Sequence, residues 1–318
     1  MTSLDAMVAL RPTPGAAVAQ WEAAAVGEGL KRALRERANE GWLLVPEFLG
    51  SVLPADTPTP PDWRHAGEST QNAGSSADMD QILRLIACSL GPILTWPNQQ
   101  GGALVHDIVP TRGAESMQIG ASSSTELLLH TEDAFHRDRA QVVLLACVRN
   151  PDRIPTHVSS VRKVTLPQAH WERLAERQVV IAPDTSYGAM PSARDTQTPA
   201  VATVWTRGGG HRCLRYDPAY SQLPEDDSFN AAYRALEEEL AAERADVVLA
   251  PGDLLVIDND VAVHGRARFQ ARYDGTDRWL KRALVSTTAA RPAEERHEPD
   301  HGQLPTFASG TGAGAWTY

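Results

Sequence analysis

From Gly91 onward the apolar runs of this chain are short, rich in β-branched residues and separated by turn residues, and this cadence constrains the fold more than any other feature. The runs at 141–149, 157–164, 178–182, 201–206, 213–216, 254–258 and 280–287 read as strands. Only two stretches between them carry apolar residues at helical spacing, 166–176 and 229–245, the second with Asp226, Asp227 or Ser228 available as N-cap. Helices and strands therefore do not alternate, which argues against a doubly wound parallel sheet. The pattern predicts a mainly β fold with flanking helices, in the manner of a jelly-roll sandwich or barrel. Ahead of Gly91 it predicts helices over 18–39 and 77–90 and a strand at 42–45, while 51–76, dense in Pro, Thr, Gly and Ser, reads as a loop.

The 318 residues are expected to form one domain over 18–290, with an arm at 1–17 and a tail at 291–318. With 40 acidic against 30 basic residues the formal charge is −10, a field that repels phosphate backbones and anionic lipid, so neither nucleic acid nor membrane is an expected partner. Cys88, Cys147 and Cys213 show no C-x-x-C spacing, which suggests neither a disulfide framework nor a Cys-rich zinc site and fits a reducing cytoplasm. The pair His297 and His301 sits at helical spacing but is interrupted by Pro299, so 297–301 reads with the glycine-rich 310–314 as solvated tail. Residues 208–210, three glycines, read as a hairpin turn.

One segment carries chemistry. In Leu127-Leu128-Leu129-His130-Thr131-Glu132 an apolar strand delivers a His and a Glu two residues apart, and positions i and i+2 of an extended chain share a face. Alone, H-x-E is too short to define a site. A third ligand is offered where Gly252-Asp253 opens a β-branched strand closed by Asn259, followed by Val263-His264-Gly265-Arg266. Two imidazoles and one carboxylate occupy one face of an octahedron and leave the opposite positions open, which suits iron(II) and O2. His136, at i+4 from Glu132, would need the strand to turn helical at once, and is expected as an orienting or core residue. Arg278 and Arg282, 14 and 18 residues beyond His264, share one strand face at even spacing. Either can grip a carboxylate with parallel hydrogen bonds, although a basic edge strand carries the same pattern.

Taken together, Leu129-His130-Thr131-Glu132-Asp133-Ala134-Phe135-His136, Leu145-Ala146-Cys147-Val148-Arg149, Asp253 to Asn259, and Val263-His264-Gly265-Arg266 through Arg278 resemble the clavaminate-synthase-like branch of the iron(II) and 2-oxoglutarate-dependent dioxygenases. That branch includes free-standing hydroxylases of arginine, lysine and asparagine, and the resemblance runs from about Gly91 to Thr287. It implies a double-stranded β-helix and a facial triad of His130, Glu132 and His264 holding Fe(II). It implies 2-oxoglutarate as co-substrate, its distal carboxylate gripped by Arg278 with help from Thr156. The substrate is then a free polar or basic L-amino acid, its α-carboxylate held by Arg282. It would be hydroxylated by O2 at C3 or C4 with succinate and CO2 as co-products, with desaturation or cyclisation open to the same centre. Gln99, Gln118 and Ser123 fall near positions that touch substrate in such proteins, and 183–200 resembles their lid.

The chain departs from the arginine-hydroxylase pattern at one place. Of the two acids expected after Leu214-Arg215-Tyr216, Asp217 fits the first, but Ala219 stands at the second; Glu225, Asp226 and Asp227 are the other acids at hand. Two other classes stay open on the ligand set alone: a cupin-like zinc or manganese hydrolase or isomerase, and a binding protein that kept the barrel without its chemistry.

Overall fold

In the computed structural model, which describes residues 20–53, 57–63, 76–187, 199–287 and 291–308, the predicted cadence resolves into antiparallel sheets. In chain order the strands are β1 (Trp42–Val45), β2 (Ile93–Thr95), β3 (His106–Ile108), β4 (Leu127–His130), β5 (Val142–Arg149), β6 (Thr156–Ser160), β7 (Arg177–Ile181), β8 (Val201–Ala202), β9 (Val204–Arg207), β10 (His211–Leu214), β11 (Ser221–Gln222), β12 (Ala245–Val247), β13 (Leu254–Asp258), β14 (Ala262–Arg266), β15 (Trp279–Val285) and β16 (Thr306–Ala308). Helices α1 (Gln20–Glu36), α2 (Ser76–Leu90), α3 (Gln168–Leu174) and α4 (Asp227–Ala242) flank them. The large sheet runs β1-β13-β5-β15-β2-β16, with β3 also on β15, and a four-stranded sheet runs β12-β6-β14-β4. Every pairing is antiparallel.

The run Val-Val-Leu-Leu-Ala-Cys-Val of β5 is apolar at both alternations because both its faces are covered. Val143, Leu145 and Cys147 join the core between the two sheets, along with Leu255, Ile257, Leu280, Val158 and Val263. Val142, Leu144, Ala146 and Val148 turn outward onto Leu30 and Leu34 of α1 and Leu83, Ile86 and Leu90 of α2. At about 1.5–3 kcal/mol for each fully buried Val or Leu, this double coverage fixes the register of the sheet that carries the site.

The Gly-Asp motif before β13 is a turn lock. Gly252 has φ +89, and a Cβ there would lie 2.8 Å from the Cα of Gly50, so the position demands glycine. The Asp253 carboxylate accepts the backbone N–H of Glu47 and of Ala250, both at 2.8 Å. Asp226 caps α4 by accepting from the N–H groups of Ser228 and Phe229, and Gly208–Gly210 turns β9 into β10.

Several expected boundaries shift. The run 157–164 ends as a strand at Ser160, where the N–H of Val161 goes instead to Val261, and 201–206 breaks at Thr203 between β8 and β9. The arm at 1–17, the glycines at 310–314, positions 188–198 of the 183–200 stretch, and 54–56 and 64–75 of the 51–76 loop lie outside the described residues. Among the described residues no helix is long and apolar enough to cross a membrane.

Over 291–308 the expectation of a solvated tail fails. Arg291 donates to Asp260 and to the carbonyls of Arg139 and Ala140, Glu295 takes Arg139 at 2.8 Å, and Glu298 takes Arg215 at 2.8 Å. Glu295, Glu298 and Gln303 are buried, and β16 adds to β2. The acids read as solvent-facing charge in the sequence because their partners lie about 80 or more positions away. Burial alone would raise the Asp260 carboxyl, yet Arg291, Arg139 and Arg207 hold it below its ordinary value. Glu298→Ala would leave Arg215 without its nearest counter-ion, and we expect a loss of about 3 kcal/mol in equilibrium denaturation. A loss within about 0.5 kcal/mol, as for an ordinary surface change, would contradict the pairing.

Candidate metal centre and active site

A pocket opens between the large sheet and the four-stranded sheet. It is lined by His106 of β3, His130 of β4, Leu145 of β5, Thr156 of β6, His264 and Arg266 of β14, and Leu280 and Arg282 of β15. The β4–β14 register sets His130 directly opposite His264, with ring centroids 4.6 Å apart. Close approach at this point requires Gly265, where a Cβ would come within 2.4 Å of the Leu127 carbonyl oxygen.

Glu132 does not lie on the strand that delivers His130. The strand ends at His130, and Asp133 takes a left-handed φ of +53, so the Glu132 carboxylate is aimed from a turn. Asn259 holds that turn. Its Oδ1 accepts the Glu132 N–H at 2.8 Å, and its Nδ2 donates to the carbonyls of Glu132 (3.0 Å) and Ala140 (2.9 Å). Asp133 is in turn gripped by Trp96 Nε1 at 2.7 Å and by the Tyr187 hydroxyl. Burial, and then the neighbouring Glu132, push Asp133 up to about 7.

One ligand atom each from His130, Glu132 and His264 lies within 4.8 Å of the others, and His264 Nε2 stands 3.2 Å from Glu132 Oε2. Burial and the facing His264 lower His130, which keeps it neutral. Burial would raise Glu132, but Arg282, His264 and His130 hold it far below the carboxylate range. A neutral imidazole at His130 and an ionised carboxylate at Glu132 are protonation states that favour a bound cation. The Nδ1 of His130 meets the Leu128 carbonyl at 2.9 Å, which leaves Nε2 for a metal. The set fits iron(II), with three protein ligands on one side.

The cationic residues fall at two stations. Arg278 donates to Thr156 Oγ1 at 2.9 Å, so the structure brings together the two residues expected to share a carboxylate. Burial lowers Arg278 to about 10, and burial together with Arg278 lowers the nearby Arg266 to about 9. Arg282 donates to Glu132, to Gln99 Oε1 at 3.1 Å and to His106 Nδ1 at 2.9 Å. Burial, then Arg282, push His106 down to about 3, so it is a neutral acceptor.

Asp217 lines the pocket near His130, and burial pushes it up to about 6. Asp184, which the sequence reading passed over as part of a loop, lines the same pocket, and burial raises it as well. It supplies a second acid that Ala219 does not. Its signal in the sequence was only its position just after an apolar strand ending at Ile181, in a stretch otherwise short of acids. Gln99 lines the pocket and donates to Ser186 at 2.9 Å. Gln118 lines it too, but its amide is spent bracing β4, donating to the Glu126 carbonyl and accepting from the Leu128 N–H.

Two expectations need correction. Ser123 is buried outside the pocket, its backbone bonded to Glu115 and Phe269. Asp226 caps α4 and pairs with Arg173, and neither it nor Glu225 nor Asp227 lines the pocket. His136 is a core residue, its Nε2 meeting the Gln303 carbonyl at 3.0 Å, which agrees with its expected role. Because Asn259 supplies three bonds around Glu132, Asn259→Ala should weaken iron(II) binding about 10- to 100-fold in calorimetric titration of the metal-free protein. Unchanged affinity would show that the turn holds itself.

The comparisons with known proteins agree with this geometry. The chain is 33% identical over 264 residues to the L-ornithine/L-arginine 3-hydroxylase of Catenulispora acidiphila, covering 76% of each. It is 34% identical over 294 residues to the enduracididine beta-hydroxylase of Streptomyces hygroscopicus, covering 84% of each. The crystal structure of the non-heme iron oxygenase OrfP with Fe, succinate and (3S)-hydroxy-L-Arg superposes with a TM-score of 0.71 at 32% identity, covering 89% of this chain and 92% of that one. The family model for the taurine catabolism dioxygenase TauD, TfdA family matches residues 73–284, and the chain is a member of that dioxygenase family.

Proposed function

We propose that the protein hydroxylates C3 or C4 of a free, cationic L-amino acid of the arginine or ornithine kind, using iron(II), 2-oxoglutarate and O2. One observation carries this reading: a single pocket holds a cationic station at Arg278 and Thr156, the three metal-ligating groups, Arg282 beside them, and two buried carboxylates, Asp184 and Asp217. The two sheets that enclose it are read as the halves of a double-stranded β-helix. The three unpaired thiols fit a reducing compartment such as the cytoplasm.

Bound iron, with its co-substrate and O2, would supply the oxidising chemistry, in which 2-oxoglutarate loses CO2 and takes one atom of O2 to become succinate while the other atom enters the substrate C–H bond as hydroxyl. The chain's own part is placement and charge. Arg278 and Thr156 take the distal carboxylate of 2-oxoglutarate. Arg282 takes the substrate's α-carboxylate. With Glu132 committed to the metal, its other two acceptors, Gln99 and His106, are neutral, and its charge is left for that carboxylate. Asp217 and Asp184 take the cationic side chain, whose arrival restores the ionised form that burial disfavours in both acids. A metal hydrolase on the same three ligands would have no use for a buried Arg278.

Turnover of arginine, ornithine, lysine and asparagine with iron(II) and 2-oxoglutarate tests the reading by mass spectrometry. A gain of one oxygen with a basic amino acid, matched by succinate, is expected; succinate with none of them would refute it. The acids also set a pH dependence. Asp217 is raised, so its carboxylate is lost as pH falls through about 6, and kcat/KM for a basic substrate should drop below that pH. Asp217→Asn should lower kcat/KM for arginine by about tenfold or more and abolish this acid limb. An acid limb of the same midpoint in the variant would assign it elsewhere.

A further inference from the structure

The buried arginines of this protein divide into two kinds. Arg139 and Arg215, and with them the half-buried Arg207, Arg282 and Arg291, each meet a carboxylate. Arg266 and Arg278, 3% and 6% exposed, meet none among the described residues. Among the described residues Arg278 bonds only to the Thr156 hydroxyl, and its Nε is buried with no hydrogen-bond partner. Arg266 spends its fork on neutral acceptors: the Ser122 carbonyl, Ser122 Oγ at 3.2 Å, the Thr125 carbonyl at 3.0 Å and the Ala267 carbonyl at 3.0 Å. The two share one compartment, since the β6–β14 register sets Arg266 opposite Thr156 and both arginines line the pocket. Two like charges out of water without a counter-ion are costly, and a fold keeps them only where an anion arrives to neutralise them.

We propose that Arg266 is a second co-substrate-recognition residue, whose charge, added to that of Arg278, makes this end of the pocket select a 2-oxo acid with an ionised distal carboxylate. The inference rests on the co-substrate reading of Arg278 given above. It assigns to Arg266 a role its hydrogen bonds conceal. The fork holds the Ser122–Thr125 segment that leads into β4, while the unneutralised charge acts on the ligand. Charge, then, and not fork geometry, is what binding requires of this position, and lysine should serve where glutamine does not.

The test is calorimetric titration of the metal-free protein at fixed ionic strength with 2-oxoglutarate and with 2-oxopentanoate, which has the same length but no distal carboxylate. Arg266→Gln should bind 2-oxoglutarate on the order of tenfold more weakly than the parent, and Arg266→Lys close to it, while 2-oxopentanoate should bind equally weakly to all. Unchanged 2-oxoglutarate binding in Arg266→Gln overturns the proposal. Equal losses in Arg266→Lys and Arg266→Gln also overturn it, because they would make the fork's loop contacts the whole role. Arg278→Gln separates the two levels: if it too leaves 2-oxoglutarate binding intact, the co-substrate reading itself fails. Should Arg266→Gln not fold, the parent protein decides. Its rise in Tm with 2-oxoglutarate should shrink as NaCl is raised and be absent with 2-oxopentanoate, and a salt-independent rise overturns the proposal.

Discussion

The active site depends on the clamp between Asn259 and the backbone of Glu132. Two histidines on paired strands are placed by the sheet itself, since the β4–β14 register puts them opposite one another. Glu132 has no such support, because it sits past the end of β4 in a turn whose next residue is left-handed. Its direction comes from a side chain 127 positions away that satisfies the turn's donor and acceptor at once. Asn259 can do this because it directly follows β13, whose register is locked by burial on both faces and by the Gly252 turn. Core packing is thereby converted into the aim of one carboxylate, which is the rigidity that metal and substrate positioning require.

Charge inside the protein is sorted by whether its partner is part of the chain. The C-terminal segment brings Glu295 and Glu298 to Arg139 and Arg215, and Asp260 collects Arg291 and Arg207, so that these arginines act as structural ties. Arg215 reaches further, donating to the carbonyls of Ala134 and Phe135 just beyond Glu132, so this network also supports the metal turn from behind. In the pocket the pattern inverts. Arg266 and Arg278 face neutral acceptors, and Asp184 and Asp217 have their acid forms favoured by burial. Buried charge without a counter-ion among the described residues is thus concentrated in the pocket, where on the proposed reading ligands bring the missing partner.

What the sequence disclosed follows the same physics. The long strands and all four helices were legible because apolar period is imposed by burial, and β5, β13 and β15 are buried almost throughout. The pairing of His130 with Glu132 was legible as spacing, although by the wrong geometry, since a turn and not an extended strand aims the carboxylate. The strands β2, β3, β12 and β16 were missed because three residues carry no period. Glu298 and Asp184 were missed for a different reason. An acid gives no local sign of being buried, and its partner or its pocket is assembled from distant segments.

The division between strand and loop then bears on specificity. The metal-ligating residues and the residues proposed to hold the co-substrate stand on or beside β4, β6, β14 and β15, whose registers are interlocked through the core. The two acids come from elsewhere: Asp184 follows β7, and Asp217 follows β10, in segments that lie outside both principal sheets. A change in these segments can move the charge proposed to meet the substrate side chain without disturbing the metal-ligating groups. On the proposed reading that separation accounts for the one place where the chain departs from the arginine-hydroxylase pattern, at Ala219, while the residues proposed for metal and co-substrate are all present. Position 219, where Ala stands, lies in a loop, and another loop can supply an acid in its place, whereas a change at Glu132, Arg278 or Asn259 would have to be compensated through the packed sheets themselves.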